Sequence, residues 1–301
     1  MVIFVHIYSS KLFMSKVAII TDSNSGISQE EGKKLGIRVL PMPFTIDGQT
    51  FYEDINLTQE EFYEKLMSGA EVFTSQPLVG DVSKLWDEVL QEYDEIVHIP
   101  MSSGLSGSCQ TATMLAKEYD GKVQVVDSQR ISVTLRWDVL DAIEMAKAGK
   151  SAKEIKEILE ANKLNASIYI TVNTLEYLRK GGRITPAVAI LGNMMKIKPI
   201  LQIQGEKLDT FSKSRTMSKA TKIMIDAIKK DIEERIDPEG HGKNARLCVA
   251  YTYDRDQGLE LKKELEALDH DSIVFCDPLS LSVSCHIGPH ALALAACKKI
   301  I

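Results

Sequence analysis

Short apolar runs alternate along the chain with polar loops and with segments of helical periodicity. Residues 16–21 read Lys-Val-Ala-Ile-Ile-Thr, a β-branched apolar run that predicts a strand. A polar loop over 22–26 follows, Ser28 is a suitable N-cap for a helix reaching Lys34, and a second apolar run begins at 37–41. Strand, loop, helix and strand in this order are typical of a βαβ unit, which predicts a parallel sheet.

The same alternation continues to the end of the chain. It predicts further helices over 58–67, 81–93, 110–119, the two sides of Gly149, 174–180, 186–195, 218–236, 256–268 and 289–299. It predicts further strands over 95–100, 122–126, 167–171, 199–204, 207–211, 247–251 and 272–275. Gly205 separates two of these strands and indicates a hairpin.

The predicted fold class is α/β, with two α/β domains built on mainly parallel sheets. A length of 301 residues suits about two domains. We expect an N-terminal extension over 1–13, an N-terminal α/β domain over 14–164 and a C-terminal α/β domain over 165–301. The apolar start of the extension stops at residues 9–11 and is too short to span a bilayer, so we expect no integral membrane contact.

Charge and cysteine usage narrow the class of function. The formal net charge of -6 disfavours binding to a nucleic-acid backbone. Five scattered cysteines without a C-x-x-C pair argue against a disulfide framework and a zinc site, and favour a reducing, cytoplasmic setting. The six histidines show no metal-ligand spacing, and the chain has neither a Walker loop nor G-x-G-x-x-G. We therefore expect no metal and no cofactor.

Hydroxyl-rich loops stand where predicted strands end. Residues 102–108 read Ser-Ser-Gly-Leu-Ser-Gly-Ser between a strand and a helix, where free backbone N–H groups and hydroxyls favour an anion. Thr74-Ser75-Gln76-Pro77 is a second such cluster, and Asp22-Ser23 lies in a third loop. Ligands of parallel sheets bind beyond the carboxyl ends of the strands, so these loops would converge on one site. Ordinary capping turns are the simpler alternative for each loop.

Two further residue types would suit an anion site. Arg215 precedes a predicted helix, where the helix dipole gives a cation no benefit, so a contact with an anion is plausible there. His286 follows a serine-rich loop and precedes the predicted last helix, although a single histidine is more often structural.

Together these motifs resemble the DegV family, bacterial fatty-acid-binding proteins that serve a fatty-acid kinase. The resemblance runs from Met14 to the C-terminus. It rests on the segments Thr21–Ser23, Thr74–Pro77, Ser102–Gly107, Val126–Ser128, Arg179–Ile184, Lys196–Ile200 and His286–Pro289.

The resemblance implies one acyl chain buried between two α/β domains. By motif position it places the fatty-acid carboxylate on Thr74 and Ser106, with His286 nearby. It places Arg183 and Arg215 at the head-group opening, where a fatty-acid kinase would dock. It also implies a further head-group region formed by Ser23, Ser75, Ser103 and Gly104. The partners that it implies are a long-chain fatty acid and that kinase. Transient contact with a membrane surface is compatible with the resemblance.

Three segments depart from the family pattern. Leu78 and Val79 follow the Thr-Ser-Gln-Pro motif where a small residue is usual, and residues 132–135 replace a Ser/Gly-alternating stretch. Both changes would reshape the acyl tunnel. His290 replaces a small residue after the Gly-Pro pair and would alter the head-group end.

A catalytic alternative uses the same residues. Ser106, Asp277 and His286 occur in the chain order of α/β-hydrolase triads, which would make the protein a serine hydrolase or acyltransferase. The segment Gly104-Leu105-Ser106-Gly107-Ser108 lacks the final glycine of G-x-S-x-G, however. We therefore expect a lipid-binding protein with no catalytic residue, and no labelling of Ser106 by a fluorophosphonate probe.

Overall fold

The computed structural model describes residues 15–183, 197–205, 207–268 and 274–301. The strands are β1 (Val17–Asp22), β2 (Arg38–Leu40), β3 (Pro43–Ile46), β4 (Gln49–Tyr52), β5 (Val72–Thr74), β6 (Glu95–Ile99), β7 (Val123–Val125), β8 (Ala166–Thr171), β9 (Lys198–Ile203), β10 (Leu208–Ser214), β11 (Ala245–Tyr251), β12 (Phe275–Pro278) and β13 (Leu292–Lys298). The helices are α1 (Gln29–Leu35), α2 (Gln59–Met67), α3 (Val79–Val89), α4 (Ser108–Leu115), α5 (Ser132–Lys147), α6 (Ala152–Ala161), α7 (Glu176–Lys180), α8 (Met217–Asp231), α9 (Arg255–Leu268) and α10 (Leu281–Ile287).

The first half of the chain comprises β1 to β7 with α1 to α6, and the second half begins with β8. The first half contains the predicted parallel sheet, with strand order β2-β1-β6-β7. All three of its strand pairs are parallel. Local capping agrees with the sequence pattern, because the Ser28 hydroxyl accepts a hydrogen bond from the Glu31 amide at 3.1 Å and Ser151 closes a capping box with Glu154. The α/β class and this sheet are confirmed.

The second sheet has the order β10-β9-β8-β13-β11-β12 and is mainly antiparallel. Among its described strand pairs, β11 and β12 are parallel and the others are antiparallel. The predicted hairpin across Gly205 is present as β9 and β10. The expectation of mainly parallel sheets therefore holds for the first sheet and does not hold for the second.

The predicted final helix over 289–299 is wrong, because this segment forms β13. It lies in the middle of the second sheet, between β8 and β11. Its alanines and leucines favour a helix as single residues, but both faces are covered by other elements and Leu292 to Cys297 are almost fully buried. Small side chains let a central strand pack closely on both sides, so the tertiary setting overrides the local preference.

A small antiparallel sheet of order β4-β3-β5 was not predicted from the sequence. Asp47 and Gly48 connect β3 to β4, and both have positive φ angles, of 49° and 82°. Asp-Gly is the preferred dipeptide of a two-residue hairpin turn, so the sequence carried a signal for this element.

Helix α10 corrects a second expectation, since the serine-rich segment before His286 is helical rather than a loop. Leu281 and Cys285 from this helix pack into an aromatic cluster with Phe44, Phe62 and Tyr63. A helix from the second half of the chain is thus buried against the first half.

Three expectations fall partly or wholly on residues that the structure does not describe. The predicted helix over 186–195 lies outside the described residues, as does the extension over 1–13. The predicted strand over 272–275 overlaps β12, which begins at Phe275. Among the helices described, none has both the length and the apolar character needed to cross a bilayer.

Candidate functional site

A cavity of about 320 Å³ lies between the second sheet and the loops of the first half. Its wall is largely apolar. The sheet contributes Ile168, Ile170, Ile203, Leu208, Ala250 and Ala293, and the first half contributes Met42, Met101, Leu105, Ile131 and Val133. This volume is at the lower end of the range that is usual for pockets that bind small molecules.

The hydroxyl loops meet at this cavity. Thr74 Oγ1 lies 2.8 Å from His286 Nε2, and Thr74, Ser106 and His286 all line the cavity. Thr74 is the last residue of β5, where it pairs with Phe44 of β3. Gln76 accepts a hydrogen bond from the Thr111 hydroxyl at 3.0 Å, which fixes the Thr74 loop against α4 beside Ser106. The structure therefore brings together the three residues predicted to hold a carboxylate.

Several of the other predicted residues build the loops. Both carboxylate oxygens of Asp22 accept backbone hydrogen bonds, one from Asn24 at 2.9 Å and one from Met101 at 2.8 Å. The Ser103 hydroxyl donates to Asp127 at 2.6 Å. The Ser23 hydroxyl accepts from the Met42 amide at 3.1 Å. These contacts hold the loops in shape.

Of the two remaining predicted head-group residues, Gly104 has a contact within its loop and Ser75 lines the cavity. The amide of Gly104 donates to the Ser102 hydroxyl at 3.3 Å, inside its own loop. Ser75, by contrast, is exposed and lines the cavity.

His286 is held as a neutral imidazole. Burial, the larger effect, and the positive charge of Arg183 together lower its pKa to about 4. Nδ1 is buried without a hydrogen-bond partner among the described residues. It faces Gly181, where a Cβ atom would overlap the ring.

Two glycines were missed as site residues by the sequence analysis. Gly181 directly follows the predicted helix over 174–180, and its missing side chain makes room for the His286 ring. Gly288 has a φ of 75° and packs against the Tyr177 ring so closely that any side chain would collide with it. The Gly181-Gly182 pair and the Gly288-Pro289 pair were visible in the sequence, but their partners are distant along the chain.

The two arginines differ in position. Arg183 lines the cavity and donates from Nη1 to the Gly181 carbonyl at 2.6 Å. Arg215 follows β10 and is exposed. Their predicted roles at a partner interface stay predictions.

The hydrolase alternative is not supported by the geometry. His286 Nε2 bonds to Thr74, and Ser106 Oγ accepts from the Ser108 amide at 3.2 Å. Asp277 lies on β12 and pairs with Arg136 at 3.6 Å. Ser106, His286 and Asp277 are therefore not joined in the order that a catalytic triad requires.

The three departures from the family pattern lie in different places. Ser132 and Val133 line the cavity, as expected of residues that shape a tunnel. Leu78 is 71 % exposed and lies outside the cavity wall, so it does not reshape the tunnel directly. His290 packs on the Tyr253 ring, with 4.9 Å between ring centroids.

A cavity with an apolar wall and a cluster of polar donors suits a protein that holds an amphipathic small molecule. A family profile described as an uncharacterised protein of the DegV family matches residues 16–299. The chain therefore belongs to the DegV family. A DegV domain-containing protein of Staphylococcus aureus is 32 % identical over 286 residues, which cover 95 % of this chain and 100 % of the relative.

Solved structures agree with this assignment. A DegV family protein from Thermus thermophilus, described for its fatty-acid binding, matches with a TM-score of 0.85 at 29 % identity, over 94 % of this chain and 99 % of that one. DegV from Bacillus subtilis, described as a fatty-acid-binding protein, matches with a TM-score of 0.84 at 27 % identity, over 95 % and 100 % of the two chains. The DegV family and the α/β fold class predicted from the sequence are confirmed.

Proposed function

We propose that this protein binds a long-chain fatty acid in the cavity and presents its carboxylate to a separate fatty-acid kinase. One observation carries the proposal: an apolar cavity of about 320 Å³ is lined at once by Thr74, Ser106 and a neutral His286. The fatty-acid binding described for the proteins from Thermus thermophilus and Bacillus subtilis supports the same ligand class.

The protonation of His286 explains how Thr74 would donate to a carboxylate. Nδ1 is buried without a described partner in either neutral tautomer, so the Thr74 contact at Nε2 is the hydrogen bond that the ring makes among the described residues. We propose the tautomer with the proton on Nε2, which donates to Thr74 Oγ1 across 2.8 Å. The Thr74 hydroxyl proton is then free to point into the cavity.

Ser106 would supply a second donor. Its Oγ already accepts from the Ser108 amide, so its own proton remains for a ligand. Two hydroxyl donors match the two oxygens of a carboxylate. Arg183, which lines the same cavity, adds a positive charge to the head-group region.

The apolar wall would hold the acyl tail. A sixteen-carbon chain buries about fourteen methylenes at roughly 0.8 kcal/mol each, an upper limit of roughly 11 kcal/mol. Loss of translational and internal freedom offsets part of this gain. Enough remains for the lipid to stay bound through purification.

The chemistry itself is proposed to lie with the kinase. The chain carries no Walker loop, and Arg183 and Arg215 would meet an acidic or phosphate-bearing surface of the partner. The proposed setting is the cytoplasm, where the five thiols, all free in the structure, would remain reduced.

A coupled assay tests the division of labour. Incubated with ATP and palmitate, the isolated protein should form no acyl phosphate, and addition of a fatty-acid kinase from the same organism should produce it. Acyl phosphate formed by the isolated protein would show that this chain is itself the enzyme.

A further inference from the structure

Helix α10 carries His286 and packs into the first half of the chain. Leu281 and Cys285 point into the aromatic cluster, while Val283 and Ile287 line the cavity. The position of the His286 ring at the cavity therefore depends on how this short helix packs against the first half of the chain.

A carboxylate from the first half fixes the beginning of α10. Glu53, which follows β4, accepts the Leu281 amide on Oε2 at 2.9 Å. Its Oε1 accepts Gln59 Nε2 at 2.6 Å, and the same Gln59 nitrogen donates to the Leu279 carbonyl at 3.3 Å. Glu53 and Gln59 thus tie both sides of the helix start to the first half of the chain.

A second contact holds the middle of the helix. The Tyr63 hydroxyl donates to Ser284 at 2.9 Å. The residue that precedes α10, Ser280, donates to Asn24 at 2.8 Å. Each of these partners belongs to the first half of the chain, so α10 is oriented by polar contacts that cross between the halves.

We propose that Glu53 is a positioning residue for the ligand carboxylate, because it seats α10 so that His286 Nε2 meets Thr74 Oγ1. This inference rests on the proposed function. Glu53 itself does not line the cavity, since it borders a separate cleft with Gln59 and Ser280.

The geometry makes His286 sensitive to this anchor. The helix rises about 1.5 Å per residue, so the five steps from Leu281 to His286 span about 7.5 Å. A tilt of about 10° over that length moves the imidazole by about 1.3 Å. A displacement of this size away from Thr74 would lengthen the Thr74–His286 contact of 2.8 Å beyond the limit of a hydrogen bond.

Burial of the Glu53 carboxylate costs free energy of desolvation, and this cost argues that the side chain has a specific role. Desolvation, the largest effect, and the charge of Asp54 together raise the pKa of Glu53 to about 7, against the lowering effect of the hydrogen bonds from Leu281 and Gln59. A neutral side chain would avoid that cost but would hold the α10 amide less firmly.

The test compares a ligand that has a carboxylate with one that has none. Glu53→Ala should weaken palmitate binding about tenfold, roughly the equivalent of one net hydrogen bond. Binding of hexadecanol, which fills the same wall without a carboxylate, should change by less than about twofold. Glu60→Ala, an exposed glutamate on α2, is the matched control and should change neither affinity.

A double-mutant cycle identifies the route of the effect. In a His286→Ala background, Glu53→Ala should cause no further loss of palmitate affinity, because the group that it positions is gone. Additive losses, or an equal loss for both ligands, would overturn the proposal and leave Glu53 a general stabiliser.

Two further arms keep the test decisive. If Glu53→Ala does not fold, Gln59→Ala removes one of the two contacts that orient the carboxylate and should give a smaller, palmitate-selective loss; an unchanged palmitate affinity there would refute the inference. Wild-type protein that binds neither ligand would instead refute the proposed function.

Discussion

Removing the Thr74 hydroxyl while keeping the shape of the side chain is the sharpest perturbation of the head-group site. Thr74→Val deletes the donor that is predicted to reach the ligand carboxylate. A hydrogen bond to a charged group contributes about 1.5–3 kcal/mol, so palmitate affinity should fall about tenfold to 150-fold.

Competition with a fluorescent fatty acid measures the effect. Palmitate and hexadecanol are titrated against the wild-type protein, Thr74→Val, Ser106→Ala and the double variant, each checked for folding by circular dichroism. Thr113→Val is the matched control, because its hydroxyl on α4 bonds to the Cys109 carbonyl and lies outside the cavity wall. Palmitate should lose affinity in the two single variants, and hexadecanol should not.

The double variant decides whether the site is where we place it. Thr74 and Ser106 would share one carboxylate, so their combined loss should differ from the sum of the single losses. Unchanged palmitate affinity in a folded double variant would refute the reasoning and place the carboxylate elsewhere.

Three other predictions follow from the same contacts. Gly181→Ala should lower palmitate affinity by displacing His286, with hexadecanol binding as the internal comparison. Burial raises the pKa of Glu53 from 4.5 to about 7, so between these values the native state binds a proton that the unfolded state has lost. The free energy of unfolding, measured in urea, should therefore fall by up to about 3 kcal/mol as the pH rises from 4.5 to 7.5. Glu53→Gln should flatten this dependence on pH. Arg183→Ala and Arg215→Ala should each slow acyl-phosphate formation with the kinase, and Arg215→Ala should do so while retaining bound lipid. Wild-type rates in both variants would remove the two arginines from the interface.

The sequence predicted the elements whose signals are local. The β-branched run of β1, the Ser28 cap and the Gly205 hairpin are each encoded within a few residues, and all three are present. The hydroxyl loops were recognisable as well, because their residue types depart from what a simple cap needs.

The sequence did not predict elements whose structure depends on distant partners. Strand β13 has an alanine-rich helical composition, and it is extended because β8 and β11 pair with it on both sides. The seating of α10 depends on Glu53, more than two hundred residues earlier in the chain. Gly181 gains its role only from the approach of His286, a contact that no local pattern encodes.

The central claim is that the cavity holds a long-chain fatty acid, and native mass spectrometry of the freshly purified protein tests it most directly. We expect a population heavier than the polypeptide by the mass of one fatty acid, which denaturation releases and lipid analysis identifies. Protein stripped of lipid should regain one equivalent on addition of palmitate or oleate. Apo protein alone, with no uptake of either acid, would contradict the account.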